Sequence, residues 1–164
     1  MDKQLKPLSE IVALNTDLLL NCLAGLSETD AVVRPMKGIN SISFLAVHII
    51  DARFFMAKML RRPLKNPLQA TLADVQTIDE VGSLPPLDEL KAYWRTVSRQ
   101  VMTALEEVKG DLLKEKAPSP FPVADESILG GLFFLVQHES YHIGQMAILR
   151  KGLGFNAMSY ERME

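Results

Sequence analysis

The side chains in this 164-residue chain best suited to do chemistry are its three histidines. One closes Ser41-Ile42-Ser43-Phe44-Leu45-Ala46-Val47-His48, and two bracket His138-Glu139-Ser140-Tyr141-His142. Residues four apart on a helix stack on one face, so His138 and His142 present their imidazoles to the same point. Two such rings buried without a shared ligand repel each other if protonated and leave ring nitrogens unsatisfied if neutral. A divalent cation removes both penalties, and His48 supplies a third nitrogen. Three neutral imidazoles suit zinc, nickel, iron or copper and leave positions open for water or substrate.

The same pentapeptide fits H-E-x-x-H, in which the intervening glutamate, here Glu139, acts as general base on metal-bound water. A metalloprotease reading would take Glu161 as the third ligand, whereas a helical-bundle reading takes His48. The chain offers no strand pattern for a substrate-binding sheet, which favours the bundle. Asp51 and Glu139 are candidate proton acceptors or partners of a ligand imidazole, and Gln145 a candidate for positioning a bound molecule. Tyr141 points away from the histidines by spacing; it and Trp94 read as structural.

Four long helical segments must position these groups. Hydrophobic spacing predicts helices over about 8–24, 41–60, 87–108 and 125–151, the first followed by Gly25 and the second capped by Asn40 or Ser41 and stopped by Arg61-Arg62-Pro63. Ser27-Glu28-Thr29-Asp30 reads as one capped turn. The connection over 61–86 is long enough to cross a bundle, and 111–124, with Pro118, Pro120 and Pro122 around Phe121, reads as a stiff lid over one end. On a helical wheel His138, His142, Gln145, Phe134 and Leu149 share one direction, while Leu129, Phe133, Val136, Ile143 and Ala147 occupy the far side. A helix apolar on both sides must be covered on both, which predicts a homodimer.

Composition sets the frame: one all-α domain over 1–164, large enough to bury a core without disulfides. Lys plus Arg number 18 against 20 Asp plus Glu, for a net charge of −2, and no basic stripe carries interleaved aromatics, which argues against nucleic acid as a partner. Met1-Asp2-Lys3-Gln4-Leu5-Lys6 lacks the features of a signal peptide and no apolar run reaches a membrane span, so the expectation is a cytoplasmic protein without a membrane partner. Cys22, the only cysteine, lies in an apolar run and reads as a small buried hydrophobe; Met56, Met59 and Met146 read as core filler.

Over nearly its whole length the chain resembles the DinB-like proteins, relatives of the metal-binding domains of bacillithiol- and mycothiol-dependent transferases. The residues that carry the resemblance are Asn40-Ser41-Ile42 opening the second helix, His48, the long second connection, and a final helix with His138-x-x-x-His142, Gly144-Gln145 and Gly152-Leu153-Gly154. Many relatives carry Trp where this chain has Phe44 or Leu45. The resemblance implies an up-down-down-up four-helix bundle with a crossover between helices two and three, dimerisation, and one divalent ion, nickel or zinc with iron as a further candidate, on His48, His138 and His142. With such an ion lowering the pKa of a bound thiol or water, the first functional expectation is a metal-dependent thiol S-transferase or hydrolase acting on a small molecule such as a low-molecular-weight thiol. The alternative is a non-enzymatic, dimeric, stress-related module in which the metal adds stability.

Overall fold

The structure, a computed structural model, describes residues 2–73, 75 and 77–162. Met1, Asp74, Gln76, Met163 and Glu164 lie outside the described residues, and so do the parts of the signal-peptide, 61–86 and 1–164 expectations that rest on them. Among the described residues six α-helices form: α1 (Lys6–Leu23), α2 (Glu28–Ala31), α3 (Ile42–Met59), α4 (Leu87–Glu107), α5 (Gly110–Lys114) and α6 (Ile128–Gly152). Short 3-10 turns occupy Lys3–Leu5 and Ile78–Glu80. Among the described residues the only extended pairing is an isolated antiparallel bridge between Lys116 and Ser127.

The four long helices form the bundle, with α1 and α3 each packed against both α4 and α6. Their starts are set by local chemistry. Ser41 caps α3, its Oγ accepting the Phe44 N–H at 3.2 Å, so the cap is Ser41 rather than Asn40. Ser127 caps α6 through the Gly130 N–H at 3.3 Å. That helix therefore begins three residues later than expected from 125, because the Asp125 carboxylate accepts the Ser127 N–H at 2.9 Å and holds the preceding residues in a turn. At α1 the start is earlier than expected, since Pro7 fits a first helical turn. Gly25, at φ +71°, turns the chain out of α1 in a conformation that favours glycine. Ser27 and Asp30 form a reciprocal capping box around α2, and Glu28 of that turn accepts the Leu87 N–H at 2.8 Å, capping α4 from outside its own sequence.

Two surface pairs hold the connections. The crossover is tied to the turn after α2 by Arg34 and Asp79, and the end of α3 to α4 by Arg62 and Glu107. The apolar core includes Leu19, Leu23, Ile49, Ile50, Met56, Val97, Leu105 and Met146, all fully buried. Trp94 is buried, its indole N–H donating to the Thr16 carbonyl at 2.9 Å. Cys22 is buried too, and desolvation pushes its thiol up to about 12, so it remains protonated and inert.

At the centre lies a polar staple. Arg53 of α3 and Glu139 of α6 are both fully buried and form a two-pronged ion pair, Nε to Oε1 at 2.5 Å and Nη2 to Oε2 at 2.5 Å. The remaining Arg53 prong donates to Thr16 Oγ1 at 3.1 Å and Ser98 Oγ at 3.0 Å, and the guanidinium lies 4.0 Å over the Trp94 ring. Asn15 reaches the Val136 carbonyl and the Ser140 hydroxyl. One connected set of hydrogen bonds thus joins all four long helices.

Candidate metal centre

His48 on α3 and the pair on α6 converge, although 90 residues separate His48 from His138. His138 Nε2 lies 3.0 Å from His48 Nε2 and 3.0 Å from His142 Nε2. One ligand nitrogen from each ring lies within 4.8 Å of the others, and all three side chains are half-buried. An imidazole nitrogen has one in-plane position, which holds either a proton or a lone pair. His138 Nε2 therefore cannot make both contacts as well-formed hydrogen bonds, being donor or acceptor but not both. A cation shared by the three lone pairs satisfies all three Nε2 atoms at once, while the buried His138 Nδ1 has no hydrogen-bond partner among the described residues. Metal–imidazole bonds of about 2.0–2.1 Å let nitrogens at this spacing reach one ion, so the donor set fits a divalent metal.

Electrostatics point the same way. His48 and His138 both lie below the ordinary imidazole value of 6.5, His138 at about 4. Burial is the largest cause for each, followed by the positive charge that neighbouring imidazoles would carry, with Asp51 acting in the opposite sense on His48. Neutral rings with free lone pairs are what metal coordination requires. In the metal-free protein the folded state resists protonation that the unfolded chain accepts. Between pH 6.5 and about 4 the unfolded state therefore binds more protons, and stability falls as pH falls through that window. Thermal unfolding of chelator-stripped protein should show a lower midpoint at pH about 5 than at about 7; equal midpoints would mean the rings are not buried in neutral form.

The other sequence candidates fall into place around this cluster. Gln145 orients a ring rather than a ligand: its Oε1 lies 2.7 Å from His142 Nδ1, which leaves Nε2 of that ring facing the cluster. Gln145 Nε2 donates to the Tyr141 hydroxyl at 3.1 Å, and the Tyr141 ring lies 5.0 Å from that of His142, so Tyr141 joins the site's edge instead of pointing away. An exposed, unpacked side chain is free to lean over its neighbour, which a helical wheel does not capture. Phe134 stacks on His138 at 5.9 Å. Asp51 stands one turn beyond His48, its Oδ1 accepting from Asn66 Nδ2 at 2.5 Å.

Glu139 is not brought to the cluster. It points into the core, where Arg53 takes both its oxygens, and this corrects its expected place beside the imidazoles. Glu161 is not brought there either; its carbonyl accepts from Asn21, and among the described residues His48 is the third member. Sequence reasoning missed Arg53, whose signal was a lone arginine within the apolar run of α3. Phe44 and Leu45 are both buried.

Of the 111–124 segment, Phe121 packs against the bundle. Its ring lies 5.3 Å from Phe134 and 6.2 Å from Phe55, extending an aromatic row outward from His138. It sits directly on Gly131, where a Cβ would come within 2.5 Å of the Phe121 ring and 2.9 Å of the Met59 methyl group.

The described residues thus form a helical bundle with three convergent histidines. The sequence profile of the DinB superfamily matches residues 12–146, so the chain belongs to that superfamily. A crystal structure of the DinB-like protein YjoA from Bacillus subtilis is similar in fold, with a TM-score of 0.64 at 15% identity over 95% of this chain and 98% of that one. No curated protein matches. No helix among the described residues is long and apolar enough to cross a membrane.

Proposed function

We propose that His48, His138 and His142 hold one divalent ion, nickel or zinc, and that the protein is a metal-dependent enzyme, a thiol S-transferase or hydrolase acting on a small molecule. The observation that carries this reading is the convergence of three Nε2 atoms that hydrogen bonding cannot satisfy. When bound, such an ion supplies a Lewis acid that lowers the pKa of a thiol or water. Burial keeps His48 and His138 neutral and ready to bind, and Gln145 fixes the tautomer of His142. Phe134 stacks on His138, and Phe121 packs against Phe134. Glu139 is held by Arg53, so Asp51 is the acid placed to accept a proton near His48.

The protein in this reading works in the cytoplasm, without nucleic-acid or membrane partners, as a homodimer. Support for the dimer comes from α6, where Phe133 is 48% and Ile148 73% exposed along one stripe, with Ile11 and Leu14 of α1 exposed as well. That stripe also favours the second reading, a non-enzymatic dimeric module, because its surface needs no chemistry at the histidines.

The test is conjugation of cysteine to monobromobimane by zinc- or nickel-loaded protein against the chelator-stripped form. Turnover that requires the metal supports the enzyme. Equal rates in the two forms would leave the binding module as the reading.

A further inference from the structure

A cavity of about 600 Å³ opens beside α3, between that helix and the segment just after it. Its lining includes Asp51, Phe55, Lys58, Leu64, Lys65 and Asn66. Lys58 and Lys65 are exposed, and the structure pairs neither with a carboxylate among the described residues. Among the described residues Asp51 is the only acid in the lining, and one of its oxygens is already committed to Asn66. Two lysines thus face one acid on the described lining, while Phe55 and Leu64 provide apolar surface.

Position ties this cavity to the histidines. Asp51 lies one helical turn from His48 on α3. Phe55, on the cavity wall, begins the aromatic row that continues through Phe121 and Phe134 to His138. No histidine is among the described lining residues, so the link between cavity and imidazoles runs through Asp51 and this aromatic row.

We propose that this cavity binds the substrate's far end and selects small organic anions, with Lys58 and Lys65 receiving a carboxylate or phosphate and Phe55 and Leu64 the adjoining apolar body. This rests on the histidine cluster being the reacting centre, but the anion contacts themselves need no metal. The probe is 4-phenylbutyrate, with neutral 4-phenylbutyramide as its uncharged counterpart, followed by amide NMR shifts. The carboxylate should shift amides within 51–69, and salt should weaken it. Both the amide probe and the Lys58→Ala/Lys65→Ala variant should bind at least about tenfold more weakly, a difference of roughly 1.4 kcal/mol.

The same titration on His142→Ala, with metal content measured on each sample, separates the two claims. Carboxylate-selective binding retained there upholds the anion pocket even if no protein binds metal. Equal binding of carboxylate and amide, undiminished binding by the lysine variant, shifts confined elsewhere, or no binding of the carboxylate would each overturn the pocket, whatever the metal content.

Discussion

His138→Ala is expected to abolish stoichiometric metal binding. Wild-type protein purified without metal-affinity resin should carry about one divalent ion per chain by elemental mass spectrometry, and the variant essentially none. His138 is the most sensitive position because its Nε2 is the nitrogen within 3.0 Å of both others. His48→Ala and His142→Ala should show the same loss, since a two-nitrogen remnant lacks the convergence that selects a divalent ion. Gln145→Ala gives the graded comparison: it leaves all three ligands but frees the His142 ring, so affinity should fall by roughly 10–100-fold while the stoichiometry survives at saturating metal. Circular dichroism on each variant separates lost coordination from lost folding. Unchanged metal content in His138→Ala would place the ion elsewhere and leave the histidines as core packing.

The second large effect concerns stability. Arg53 and Glu139 are fully buried, so removing either partner strands a charge in the core. Arg53→Met or Glu139→Leu should each cost about 3–5 kcal/mol, a large share of the roughly 5–15 kcal/mol that holds a typical domain together. At about 2–4 °C per kcal/mol for a chain of this size, the unfolding midpoint should drop by roughly 6–20 °C. The double variant Arg53→Met/Glu139→Leu should recover much of that loss, because two apolar groups of similar bulk leave no orphaned charge, although Thr16 and Ser98 still lose their guanidinium partner. Metal content should survive in whichever of these variants folds. A Glu139 variant that lost the ion but kept wild-type stability would return this residue to the metal centre. Denaturant unfolding at neutral pH reads both quantities.

Much of the site was legible along the chain because its rules are local. Four-residue spacing stacks His138 on His142 whatever lies around the helix, and the wheel correctly grouped Phe134 and Gln145 with them. Helix limits came within one residue at α3, where Ser41 caps its own turn. They slipped at Asp125 because a competing turn satisfied the backbone first.

What local rules could not supply was partnership across the bundle. Periodicity puts His48 on the inward face of its helix but says nothing of the 3.0 Å separation from a ring 90 residues away. The H-E-x-x-H pattern puts Glu139 one position from His138, and a motif alone suggests joint action. One position on a helix is also a rotation of about 100°, enough to turn Glu139 away from the imidazoles. Its oxygens then went to Arg53, 86 residues distant in sequence. Burial drives that outcome: a carboxylate turned into the core must find a cation there, and a ligand set assembles only where separate helices pack face to face. Spacing along one helix sets the direction of each side chain, and the packing of helices chooses what it meets.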